Sequence, residues 1–327
     1  MLRGNPTEEL YELEWVDRLG NREPLLPADR YGSFKLSPDG RYLAYSLFDD
    51  EEQVDIWIYD IERGVPTKLT FDRAVDDCPV WSPSGDSIVF SSNRDGVFNL
   101  YWKRADGSGE DHRLTDSQNP LLPYSWHPDG RHLAVVGFPS AIGDADVLVV
   151  KLEGDDRSGW RAAEPKDFQA TKFDEWHVSF APEGDWLAYQ SDETGQFEVF
   201  VRSFPGGGGL KQISSEGDGS IRPIWSQTNQ EVIFATTETP GSGERQIYTV
   251  KYLIDEGVFI PDGPIPWEGG TTSYARYATL YDLHPDGERL LVRSVVDVNE
   301  PEQTLDHVVL FENFFDHVRE KLSTSEK

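Results

Sequence analysis

Six times along the chain an aromatic or leucine residue enters a short polar turn and is followed by an apolar or alternating run. The copies are LSPDGRYLAYS from Leu36, WSPSGDSIVFS from Trp81, WHPDGRHLAVV from Trp126, FAPEGDWLAYQ from Phe180, WSQTNQEVIFA from Trp225 and LHPDGERLLVR from Leu283. Pro38, Pro83, Pro128, Pro182, Gln227 and Pro285 mark the turns, so the spacings are 45, 45, 54, 45 and 58 residues. Proline presets φ for the first central turn residue and glycine supplies a positive φ, so each copy predicts a hairpin. The fifth copy lacks both residues; Asn229 stands at its glycine position and is expected in the left-handed region. A third strand is predicted after each hairpin: DIWIYDI from Asp55, FNLYWKR from Phe98, DVLVVKL from Asp146, FEVFVRS from Phe197, QIYTVKY from Gln246 and HVVLFEN from His307. Short fourth strands are predicted in TKLTF at Thr67, HRLTD at His112 and KQISS at Lys211.

Four antiparallel strands repeated at a period near 45 residues predict an all-β fold, a six-bladed β-propeller in which each blade buries its faces against its neighbours. The last repeat lacks a fourth strand, while LEWVDR near the N-terminus reads as a strand without a preceding turn. The N-terminal strand is therefore expected to complete the last blade. Phe314, Phe315, Val318 and Leu322 have helical spacing, which predicts a short C-terminal helix within 311–322. The expected organisation is a flexible 1–9, a single propeller over 10–318 and a tail over 319–327.

The stretch WSPSGDSIVFSSNRDGVFNLYWKRADGSG from Trp81, together with LSPDGRYLAYS, resembles the WD-like repeats of TolB-type six-bladed propellers. Similar blades occur in the propeller domains of prolyl oligopeptidase relatives. The Gly-His and Trp-Asp dipeptides of true WD repeats are missing. The order LEWVDRLGNREPLL, six repeats, VVLFENFFDHVREKL also resembles the C-terminal propeller of some bacterial serine/threonine protein kinases, which implies a sensing or binding module.

A net charge of −29 argues against nucleic acid, whose binding depends on Lys and Arg displacing counterions. Hydrophobic residues at 37% and aromatics at 12% are enough for a substantial core. The single cysteine, Cys78, excludes an internal disulfide, and no run approaches 18 apolar residues. A soluble chain is expected, cytoplasmic as written. Met1 is the only methionine, which also fits a module excised from a longer, extracytoplasmic protein.

No G-x-S-x-G elbow or kinase motif is present. Ser37 is replaced by His127, Ala181 and His284 in other copies, so it reads as a turn residue rather than a nucleophile. The FPGGGG run from Phe204 lies between two predicted strands and reads as their connection. His127 and His284 sit beside turn prolines and no H-E-x-x-H occurs, so no zinc site is expected. His177 heads toward an inner strand, where a packed role is expected. Cys78 follows Asp76 and Asp77, which should raise its pKa, and reads as a small buried filler. The chain is accordingly expected not to be an enzyme but to bind a partner protein, peptide or small ligand on the channel face. Candidate contacts are Arg30, Tyr31, Asp76, Asp77, Tyr124, Glu175, Trp176, Arg222, Arg276 and Tyr277. No cofactor is expected beyond a channel cation such as calcium at Asp76, Asp77 or Glu175. Two other readings are a carbohydrate-active hydrolase or lyase using channel carboxylates and an envelope scaffold like TolB.

Overall fold

In the computed structural model the described residues are 10–49, 51, 53–139, 145–206, 208–214, 219–236, 244–273 and 279–296. They form six antiparallel sheets in a ring. From blade 1 to blade 6 the inner strands are Tyr31–Leu36, Asp76–Trp81, Leu121–Trp126, Glu175–Phe180, Ile221–Trp225 and Tyr281–Leu283. Among the described residues no helix is long and apolar enough to cross a membrane.

The turn chemistry acts as the repeats predict. Gly40, Gly85, Gly130, Gly184 and Gly287 have φ between 68° and 84°, and each turn closes on a backbone bond such as Gly40 N–H to the Ser37 carbonyl at 2.9 Å. Asn229 departs from the expectation, for it is not among the residues with positive φ. Without proline or glycine, this turn is held by one side-chain and one backbone bond. Ser226 Oγ accepts from Asn229 N at 3.0 Å, and Glu231 N–H donates to the Asn229 carbonyl at 2.9 Å.

In blades 2 and 5 the tryptophan that enters the turn fastens its blade to the one before it. Trp81 Nε1 donates to the Lys35 carbonyl and Trp225 Nε1 to the Ser179 carbonyl, each at 2.9 Å. Between blades the cores are continuous: Ala44, Ile56, Trp81, Ile88 and Phe90 share one buried cluster across blades 1 and 2. Both faces of a second strand are covered in this way, which explains its nearly unbroken apolar run. The FPGGGG segment lies between the strands Glu198–Ser203 and Lys211–Gln212, which pair, as the sequence predicts.

Ring closure is also as expected, with one correction. Tyr11–Asp17 occupies the third-strand place of the last blade, paired residue by residue with Arg289–Val295, and Arg22–Asp29 is the fourth strand. A strand-like pattern carries no information about which neighbour it pairs with. HVVLFEN itself, the predicted terminal helix and the 1–9 segment lie outside the described residues.

The long spacings of 54 and 58 residues have a structural cause. In blades 3 and 5 the third strand runs on, as Asp146–Asp155 and Glu244–Asp255, into an extra hairpin with Gly159–Ala162 and Val258–Pro261. The blade 5 hairpin lays Phe259 against Trp186, Trp225 and Tyr252. Its two-residue loop places Glu256 at φ 48° and Gly257 at φ 78°, a type I′ geometry that a glutamate resists. Glu256→Asn is therefore expected to raise unfolding stability by about 0.5–1 kcal/mol in urea titration. No change, or a loss, would mean that the exposed loop carries no strain.

Candidate functional site

The inner strands are not simple ladders. Their pairing slips between Tyr31 and Phe34, Asp77 and Val80, Pro123 and Ser125, Trp176 and Ser179, and Ile221 and Ile224, one bulge at the same level in each of five blades. A bulge re-aims side chains. In blades 2, 4 and 5 the residue at this level, Cys78, His177 or Arg222, has φ of 57°, 50° or 59°. The left-handed region costs an L-residue roughly 1–2 kcal/mol, so the surrounding fold imposes three such conformations around one axis. They open onto an axial cavity of about 90 Å³, whose walls include Tyr124, Tyr281, Lys35 and Asp282.

Gln190, on the second strand of blade 4, organises this wall. Its Oε1 accepts the Arg222 backbone N–H at 3.0 Å and lies 2.9 Å from His177 Nδ1. A backbone N–H only donates, so that amide atom is the oxygen and Nδ1 must carry the proton. His177 Nε2 is then the basic nitrogen. Burial holds the imidazole well below its usual pKa, and the Arg222 charge adds to this, so the ring is neutral. Tyr124 meets it edge-on at 5.3 Å, and Trp176 stacks beside it at 5.9 Å.

Arginine side chains gather beside the cavity, and Arg222 is part of its wall. Burial lowers the Arg222 pKa, and the neighbouring Arg245 guanidinium lowers it further, while Tyr124 and Tyr281 favour its charged form. The Tyr281 hydroxyl donates to the Arg222 carbonyl. Arg293, stacked over the Tyr11 ring at 3.5 Å, is brought down to about 10, chiefly by burial and in part by Arg222. Lys35 and Asp282 neutralise each other at 2.7 Å. Cys78 stays a thiol: burial first, and Asp77 second, push its pKa up.

Of the residues singled out in the sequence, Tyr124 and Arg222 line the cavity. Asp77 adjoins it, accepting from Cys78 N and Ser46 Oγ at 2.6 Å each. Trp176 stands behind His177. Tyr31 is buried and its hydroxyl donates to the Pro27 carbonyl at 2.7 Å. Arg30 precedes the first inner strand and is half-buried. Asp76 is fully buried against Arg94 at 2.9 Å. Glu175, also fully buried, accepts from the Thr171 hydroxyl, and burial pushes its carboxyl up to about 7. Among the described residues Asp76, Asp77 and Glu175 do not gather into a metal-ligand group. Arg276 and Tyr277 lie outside the described residues. The sequence reading set His177 aside, yet a signal was present: Cys78, His177 and Arg222 each stand three places before the aromatic that enters the turn, Trp81, Phe180 or Trp225.

Residues 29–136 match the family described as the TolB beta propeller domain. An uncharacterized protein of Agrobacterium fabrum is 32% identical over 160 residues, covering 47% of this chain and 52% of that protein. An uncharacterized peptidase of Bacillus subtilis, YuxL, is 27% identical over 190 residues, covering 48% of this chain and 29% of the peptidase. The chain thus matches about half the length, or less, of these curated relatives. A solved TolB-like structure from Agrobacterium tumefaciens superposes with a TM-score of 0.68 at 16% identity, over 89% of this chain and all of that one, a likeness of fold. The peptidase match overturns the expectation that the chain is not an enzyme. That expectation rested on missing local motifs, and a site assembled from separate blades leaves none. The repeats and the ring agree: the chain is a six-bladed β-propeller, and its residues 29–136 are similar to the TolB beta propeller domain.

Proposed function

We propose that the axial cavity binds the anionic end of a small ligand or peptide, with Arg222 as its anchor. One observation carries this reading: three side chains held in left-handed conformations converge on a cavity beside three guanidiniums, those of Arg222, Arg245 and Arg293. A bound carboxylate gains the attraction of these guanidiniums. Its two oxygens suit a guanidinium fork, while Tyr124 supplies an aromatic wall and a hydroxyl. At about 90 Å³ the cavity takes the tip of a ligand rather than a drug-sized molecule.

A two-carboxylate glycosidase site is less well supported. Asp282 is the single carboxylate among the described residues lining the cavity, and Lys35 engages it. If the bound ligand is also turned over, the group suited to accept a proton is His177 Nε2.

Calorimetry against a panel of short peptides and acidic sugars tests the proposal. Arg222→Met is expected to weaken binding at least tenfold, about 1.4 kcal/mol, in protein whose urea unfolding shows that it is folded. Unchanged affinity in a folded Arg222→Met would refute it. Turnover of the same panel by His177→Gln, beside the parent, separates binding from catalysis.

A further inference from the structure

Away from the axial cavity, the blade 3 turn carries the sequence HPDGRH, in which His127, Asp129 and His132 are the only described residues whose ligand atoms cluster, all within 4.8 Å of one another. His127 Nδ1 lies 2.9 Å from Asp129 Oδ1, and His132 Nδ1 lies 2.8 Å from Asp129 Oδ2. The other nitrogen of His127, Nε2, is 3.0 Å from the Gly184 carbonyl of blade 4. A carbonyl only accepts, so Nε2 carries the proton and the Nδ1 lone pair faces the carboxylate. The Asp129 N–H donates to that lone pair at 3.1 Å, so Nδ1 is an unprotonated donor atom held 2.9 Å from the carboxylate. Metal-binding histidines show this same arrangement, one nitrogen anchored on a backbone carbonyl and the other presented to the ion.

We propose that His127 Nδ1, the Asp129 carboxylate and His132 Nδ1 bind a divalent transition-metal ion of the Zn²⁺ type. Two imidazoles and one carboxylate favour zinc over calcium or magnesium, which prefer all-oxygen sites. A tetrahedral ion 2.0–2.2 Å from each ligand separates the ligand atoms by about 3.3 Å. Rotation of the half-exposed His132 side chain reaches that spacing, and the ion displaces the 3.1 Å bond from Asp129 N to His127 Nδ1. Phe180 and Phe204 pack edge-on or tilted against His127 at 4.8 and 5.3 Å and form an apolar backing. Three protein ligands leave a fourth position for water. Bound there, the ion ties blade 3 to blade 4 through the His127–Gly184 bond.

The chain contains its own control. Blade 6 repeats the turn as HPDGER, with His284 Nδ1 2.8 Å from Asp286, but Arg289 replaces the second imidazole. Titration of chelator-stripped protein with ZnCl2 is expected to show one saturable site per chain and a rise in Tm on loading. Co²⁺ in its place should give the visible bands of a four-coordinate ion, which a proton shared among these groups does not produce. His132→Arg copies the blade 6 turn at an exposed position, so it should fold as the parent does. It is expected to weaken Zn²⁺ binding by more than the roughly 10–100-fold that loss of an outer-shell partner costs. His112→Asn, removing a histidine outside the cluster, should leave affinity unchanged. Absence of a one-to-one site, or equal affinity in parent and His132→Arg, overturns the assignment.

Discussion

Arg94→Met is expected to cost about 3–5 kcal/mol of folding stability, because it strands a carboxylate that the fold has fully desolvated. Arg94 leaves the loop after the second strand of blade 2 and places Nη2 3.1 and 2.9 Å from the two Asp76 oxygens. Its Nη1 meets Asp111 at 2.7 Å, and Lys103 joins the same carboxylate at 2.7 Å. The guanidinium also lies 4.6 Å above the Tyr101 ring. Burial already raises the Asp76 pKa against the opposing pull of Ser92 and Arg94. Without the guanidinium that pKa climbs further, and between the unfolded value and the new one the folded state holds the extra proton. Stability of the variant then falls as pH rises through that window, so its deficit is smallest in acid and largest at neutral pH. Urea unfolding followed by tryptophan fluorescence at several pH values measures this. A deficit below about 1 kcal/mol, in the range of a surface pair, would mean that Asp76 reaches solvent.

Leu13→Ala is the second large effect, at about 2–5 kcal/mol. Leu13 and Val16 are completely buried, and Trp15 nearly so, in the strand that closes the ring. That strand makes seven consecutive pairs with Arg289–Val295. Just beyond it, Arg18 reaches Glu231 of blade 5 at 2.6 Å, the Gly287 carbonyl at 2.6 Å, and the Trp267 ring at 4.1 Å. Closure therefore engages three sequence-distant segments at once. Loosening it should lower the unfolding midpoint without changing the urea dependence. Local fraying of blade 6 alone, seen as an early separate transition, would show instead that the other five blades stand without the closing strand.

What could be read in the sequence was what depends on neighbours in the chain. Pro-Asp-Gly turns are local, so five of six were legible to the residue, and their period gave the ring. Asn229 failed because the Ser226 hydroxyl and a backbone bond from Glu231 hold the turn without the glycine geometry. The third strand of blade 6 was not legible because partner choice is settled by topology, which put Tyr11–Asp17 there. The extra hairpins of blades 3 and 5 were visible as surplus length but not as shape. At the site, Tyr124 and Arg222 were within reach because they lie on inner strands just ahead of a turn. His177 stands at the same place before its turn but was read as a packed residue, and the structure does pack it, against Gln190 and Tyr124, while also placing it on the cavity wall. Asp76 and Glu175 looked like acidic loop residues, and only the fold reveals that Arg94, 18 residues on, and Thr171 cover them. His132 gains meaning beside His127 only once the hairpin folds one onto the other.

The closing pair also has a mechanical side. Tyr11 stands opposite Val295, and Val296 N–H donates to the Leu10 carbonyl at 3.1 Å, so both flanking segments leave from the same end of the pair. Tension applied through those flanks loads one rung at a time, peeling the strands apart like a zip rather than shearing seven rungs together. The ring would thus resist heat and urea as a whole while yielding to a pull at its seam.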